Sequence, residues 1–160
     1  MSTTVSARFV APATSITRIM ATLYREFNVI RQEVLKEFID NGTVTHAFQL
    51  ARNEDIKTSF DMRFEINSFY ENDSFDILNA FASFYIKGEH YHLHIFNDIT
   101  GHDLKEALGE PTPHITISLG SDTQRATPEL IKRFAFAVKK ELECRVVYKD
   151  EAVSDDHTEL

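Results

Sequence analysis

Five of the seven histidines of this 160-residue chain fall between residues 90 and 114. In Glu89-His90-Tyr91-His92-Leu93-His94-Ile95-Phe96, the alternation of an extended strand puts His90, His92 and His94 on one face, with Tyr91, Leu93 and Ile95 on the other. In Pro113-His114-Ile115-Thr116-Ile117-Ser118-Leu119, the polar face carries His114, Thr116 and Ser118, and Ile115, Ile117 and Leu119 turn toward a core. Imidazole titrates near neutral pH, so it can take and return protons in phosphate chemistry while hydroxyls donate to the oxyanion. His114, Thr116, His92 and His94 are therefore the candidate catalytic set. Two other readings stay open. Histidines at i and i+2 joined by a third from another strand can hold zinc. No Cys or Glu stands at matching spacing, so no metal and no cofactor are expected. The third reading is a solvated sheet face with no site at all. Whether the two strands adjoin is a matter of topology.

The elements that must carry these residues are legible. Ile16, Met20, Leu23, Phe27, Ile30 and Val34 are spaced 4, 3, 4, 3, 4 within a helix expected from Ser15 to Asn41. Thr14 or Ser15 would cap its start, and Gly42 would terminate it in a left-handed conformation. A helix of that length spans about 40 Å. Its seam suits packing across a whole sheet, or a homodimer through the 15–41 helix. After Gly42 the apolar period falls to two. Between Thr58 and Tyr70, Phe60, Met62, Phe64, Ile66 and Tyr70 share a face, with Phe69 the exception. A strand ending at Ile86, a turn at Lys87-Gly88 and a return from His90 to Phe96 follow. Then come a loop with a short helix to Leu108, a strand at 113–119, a helix from Thr127 to Glu143 and a strand from Cys144 to Tyr148. Val5 to Val10 reads as an edge strand. The expected class is α+β: a mostly antiparallel sheet, with the long N-terminal helix and the C-terminal helix on one face.

Pro113-His114-Ile115-Thr116-Ile117, followed by a helix and a closing strand, resembles the second motif of the two-histidine phosphoesterase superfamily, which includes 2′-5′ RNA ligase-like and cyclic phosphodiesterase proteins. The resemblance runs from Pro113 to Tyr148, with a looser strand–helix–strand match from Val5 to Leu50. It implies acid–base work for His114 and phosphate binding for Thr116. The family's first motif would fall at His46, which is followed by Ala47-Phe48 with no hydroxyl and alternates with apolar Val44, Phe48 and Leu50. His92-Leu93-His94 after Gly88 also resembles the paired-histidine strand of HUH-type replication initiators. Their Tyr-x-x-Lys nucleophile pattern has no counterpart here.

Composition bounds what remains. With 42% hydrophobic and 26% charged residues the chain suits one domain with a real core, expected over 1–149. The net charge is −8, and the closing segment DEAVSDDHTEL holds five acids and no Lys or Arg. Residues 150–160 are therefore expected to form a solvated acidic tail. No dense basic cluster exists, so duplex nucleic acid is not an expected partner. No run approaches a membrane span, no secretory pattern opens the chain, and its one cysteine, Cys144, forms no internal pair, so a cytoplasmic protein is expected. Gly-rich phosphate loops, Cys-x-x-Cys pairs and nucleophile elbows are absent. The leading expectation is a small non-enzymatic binding or regulatory protein with a protein partner. The second is a metal-independent, histidine-dependent phosphodiesterase acting on RNA ends or cyclic (oligo)nucleotides.

Overall fold

A computed structural model describes residues 4–42, 62–71, 78–121, 127–150 and 157–160. The described strands are β1 (Thr4–Phe9), β2 (Arg63–Glu71), β3 (Leu78–Ile86), β4 (Glu89–Asp98), β5 (His114–Ser121), β6 (Val146–Asp150) and β7 (Thr158–Glu159). They form one antiparallel sheet in the order β2-β3-β4-β5-β1-β6-β7. Two long helices, α1 (Ile16–Asp40) and α2 (Thr127–Leu142), lie on one of its faces. The α+β class read from periodicity is the class observed.

The α1 seam explains the helix layer. Ile16, Ile19, Leu23, Phe27, Ile30, Val34 and Phe38 are all buried in the core of this one chain. Burying each such side chain is worth about 1.5–3 kcal/mol. Phe27 meets Phe64 and Phe84 with ring centroids 5.5 and 5.9 Å apart, and Phe84 meets Phe134 of α2 at 5.7 Å. The helices run antiparallel, joined by Arg133 to Glu26 and Glu33 and by Arg18 and Arg25 to Glu141. The seam on which a 15–41 homodimer would rest is thus occupied by the chain's own sheet. Ser15 makes no side-chain cap. A 3-10 turn over Ala13–Ser15 leads into α1 instead, and Gly42 at φ 81° closes it.

Three expectations are corrected by the topology. Val5–Val10 is not an edge: β1 sits between β5 and β6, and Ser6 and Arg8 are buried along with Val5, Ala7 and Phe9. On the side away from the long helices, the Arg8 side chain is held by Ser6 and by Asp103 of the segment after β4. In β2 the register shifts at Asn67, between Ile66 and Ser68. This bulge returns Phe69 to the helix side, opposite Ala80, and sends Tyr70 to the opposite side, against Asn79. Finally, residues 157–160 pair with the sheet, with Thr158 and Glu159 still exposed to solvent. Thr158 and Glu159 pair with Tyr148 and Val147, Glu159 forms an ion pair with Arg145, and the Leu160 N–H donates to the Val146 carbonyl at 2.9 Å. The acids of DEAVSDDHTEL masked a short strand that a basic residue, Arg145, receives. Residues 151–156, and with them most of the acidic run, lie outside the described residues.

The remaining boundaries follow local chemistry. Lys87 and Gly88 both adopt positive φ, 53° and 79°, as a two-residue hairpin requires. Glu143 at φ 51° ends α2, so Cys144 precedes β6 rather than opening it, and half-burial raises its thiol pKa. Among the described residues, no helix is long and apolar enough to cross a membrane.

Candidate functional site

The strands bearing the candidate histidines do adjoin. β4 pairs with β5, and β5 with β1, so cross-strand rows can be read directly from the register. On the face away from the helices, one row runs Thr4, Gly120, His92, Ser83. The next runs Ser6, Ser118, His94, Phe81, and the third Arg8, Thr116, Phe96, Asn79. His114 stands one row further, opposite Asp98. His94 and His114 are therefore two rows apart, about 13 Å along the strands at the usual rise. The four candidate residues share a face but fall into two groups.

The first group is an exposed platform of rings. Phe81, 46% exposed, stacks on His94 with centroids 4.2 Å apart and planes only 6° from parallel. The His94 Nε2 is 3.0 Å from Asn79 Oδ1, a carbonyl oxygen that can only accept, so Nε2 carries the proton. Half-burial holds the His94 pKa below its ordinary value, which keeps the ring neutral. Phe96 flanks His94 at 4.6 Å, and Tyr85 stacks on His90, with the Arg63 guanidinium 4.2 Å from the Tyr85 ring centre. His92 meets His90 edge-on. Ser118, Gly120 and Thr4 border the rings and leave a cavity of about 290 Å³ on the sheet.

The second group is buried. His114 is 2% exposed and Thr116 likewise. The His114 Nδ1–H donates to the Thr112 carbonyl at 2.8 Å, which leaves a lone pair on Nε2 when the ring is neutral. That Nε2 has no hydrogen-bond partner among the described residues, and neither has His157 Nε2. The Arg8 side chain donates to Asp103 through Nε and to Ser6 Oγ through Nη1 at 2.7 Å. His157, reaching in from just before β7, lies 3.9 Å from Asp103. Burial, then Arg8, with Lys149 and His114 adding and Asp103 opposing, pushes its pKa down. The loop after β4 builds this corner. Asp98 accepts from the N–H and hydroxyl of Thr100 and from the Gly101 N–H, and the Gly101 carbonyl accepts from the Thr112 and Leu104 N–H groups. Burial pulls the Asp98 pKa up, but those donors and His114 outweigh it and hold it low.

Arg8, Asp103 and His157 were not among the sequence candidates. Arg8 was hidden in a presumed edge strand, Asp103 in a loop and His157 in the presumed tail; only long-range packing gathers them. His46 lies outside the described residues. No group of three or more His, Cys, Asp or Glu arranged to hold a metal occurs among the described residues.

The chain matches no protein-family model, no curated protein and no solved structure. The reading of the site therefore rests on its geometry.

Proposed function

We propose that this chain is a non-enzymatic binding protein that recognises a protein partner with the face of its sheet that lies away from α1 and α2. The observation that carries this reading is the stacked Phe81–His94 pair, standing exposed on the interior strands β3 and β4 of a sheet whose other face packs α1 and α2. Large rings held in place by neighbours and still open to solvent are the side chains that dominate protein interfaces. The α1 seam offers no comparable surface. A photo-crosslinking residue at position 81 should capture a partner in the native cellular setting, whereas one at Lys36, on the outer face of α1, should not. Capture at 36 with none at 81 would overturn the proposal.

A second reading, a histidine-dependent phosphodiesterase, draws support from one observation: the bare Nε2 of His114 beside His157 and Arg8. In that reading His114 is the base, His157 the second histidine and Thr116 a phosphate ligand. His92 and His94 stand too far along the strands to join them. Burial of His114 and Thr116, and engagement of Arg8 by Asp103 and Ser6, favour the binding reading. Turnover of 2′,3′-cyclic nucleotides without added metal, falling about 10²–10⁴-fold in His114→Ala, would reverse that order.

A further inference from the structure

We infer that the cavity on the sheet face away from α1 and α2 binds an uncharged planar heteroaromatic ring, of the size and hydrogen-bonding character of a nucleobase or nucleoside. The inference rests on the reading of this face as the recognition surface and names a ligand for one part of it.

The cavity has a simple origin in the register. Two adjacent cross-strand rows alternate small residues with rings: Thr4, Gly120, His92, Ser83, and beside it Ser6, Ser118, His94, Phe81. Gly120 presents no side chain between Thr4 and His92, so the surface dips there, and His92, His94 and Phe81 rise around the dip. Its volume, about 290 Å³, lies at the small end of ligand sites, which are commonly about 300–1,000 Å³. That suits a single ring system rather than a chain of them.

The lining selects the ligand's character. Thr4, Asn67, Phe81, His92, His94 and Ser118 supply the side chains on this face, and among the described residues no Lys, Arg, Asp or Glu lines the cavity. Among these residues a phosphate or carboxylate meets no Lys or Arg, and an ammonium no carboxylate, so a charged ligand would lose much of its hydration with little compensation. A neutral ring loses little. Phe81 and His94 present near-parallel rings, and the His94–Asn79 hydrogen bond fixes the imidazole before any ligand arrives. Stacking on such a surface is then gained without first ordering the rings. Asn67 and Ser118 line the cavity with an amide and a hydroxyl, the groups that read the donor and acceptor edge of a base. The Asn67 amide is itself held to Ser83 Oγ at 3.2 Å, which fixes its direction.

The test is titration calorimetry of the full chain with adenosine, guanosine, cytidine and uridine, and with adenosine 5′-monophosphate as the charged counterpart. At least one nucleoside should saturate below about 5 mM, the weak end of specific binding. Phe81→Ala should weaken it about 5- to 100-fold, the loss expected for one stacking surface. Gly120→Val, at a strand position without positive φ, should fill the dip and abolish binding while the fold is retained. Absence of saturation by all four nucleosides overturns the inference. So does binding that survives both variants, or a monophosphate that binds more than about tenfold tighter than adenosine, since that ligand would be an anion. Partner capture at position 81 without nucleoside binding would overturn this inference and leave the binding reading standing; nucleoside binding without partner capture would do the reverse.

Discussion

Arg8 and Asp103, ninety-five positions apart in sequence, form an ion pair that ties the interior strand β1 to the segment after β4. The arginine end is buried, 8% exposed, and the carboxylate end is partly open to solvent. Removing only the acid would strand a buried guanidinium. Asp103→Ala is expected to cost about 1–3 kcal/mol, less than a fully buried pair because Asp103 is hydrated. Arg8→Met combined with Asp103→Ala should recover part of that loss. Urea denaturation of the two single variants and the double variant measures the coupling.

Gly101 sits two residues before Asp103 at φ 68°, and a Cβ there would collide with the backbone of Thr112. Thr112 is the residue whose carbonyl holds His114. Gly101→Ala should therefore destabilise by more than about 1 kcal/mol, through both the left-handed backbone and the displaced loop. The His114 ring resonances in an NMR spectrum should shift as well, whereas those of His94, on the other part of the face, should stay in place.

The intramolecular use of the α1 seam has its own consequence. Leu23→Ala should cost about 2–5 kcal/mol as a core cavity substitution. The urea midpoint of wild type and variant should be the same at low and high protein concentration. A midpoint that rises with concentration would show that assembly contributes to stability.

The closing residues should matter more than a solvated tail would. Deleting 157–160 removes the β7 pairing, the packing of Leu160 on the core and the Lys139 contact to the Leu160 carbonyl. A fall in Tm of about 2–6 °C is expected, corresponding to the loss of a few modest contacts in a chain of this size. No change in Tm would mean that β7 contributes nothing to stability.

Two histidines set an acid dependence. His94 and His157 both have folded pKa values below the ordinary histidine value, chiefly because burial disfavours the charged ring. Below about pH 6.5 the unfolded chain takes up protons at these positions while the folded chain resists, so stability falls as pH drops from about 7.5 toward 5.5. His157→Gln, neutral throughout, should flatten part of that fall. Thermal melts across this range decide it: a wild-type Tm unchanged from pH 7.5 to 5.5 would remove both histidines as contributors.

Periodicity alone determined a good deal here. The 4-3-4-3-4 seam of α1, the alternation in β4 and β5 and the Lys87-Gly88 turn are local patterns, and backbone geometry converts them into elements wherever they occur. They fixed the fold class and put His92, His94, His114 and Thr116 on one sheet face. Register did the rest. Which row each residue occupies depends on pairing between strands distant in sequence, and that pairing separated His94 from His114. It also placed Gly120 beside His92 to open a cavity. The Asn67 bulge exchanged the sides of Phe69 and Tyr70 by adding one residue to a strand, a change that leaves composition and hydropathy untouched. Arg8, Asp103 and His157 became one cluster because burial is a property of the assembled surface. A charged or polar side chain carries no local sign of the neighbours that will cover it.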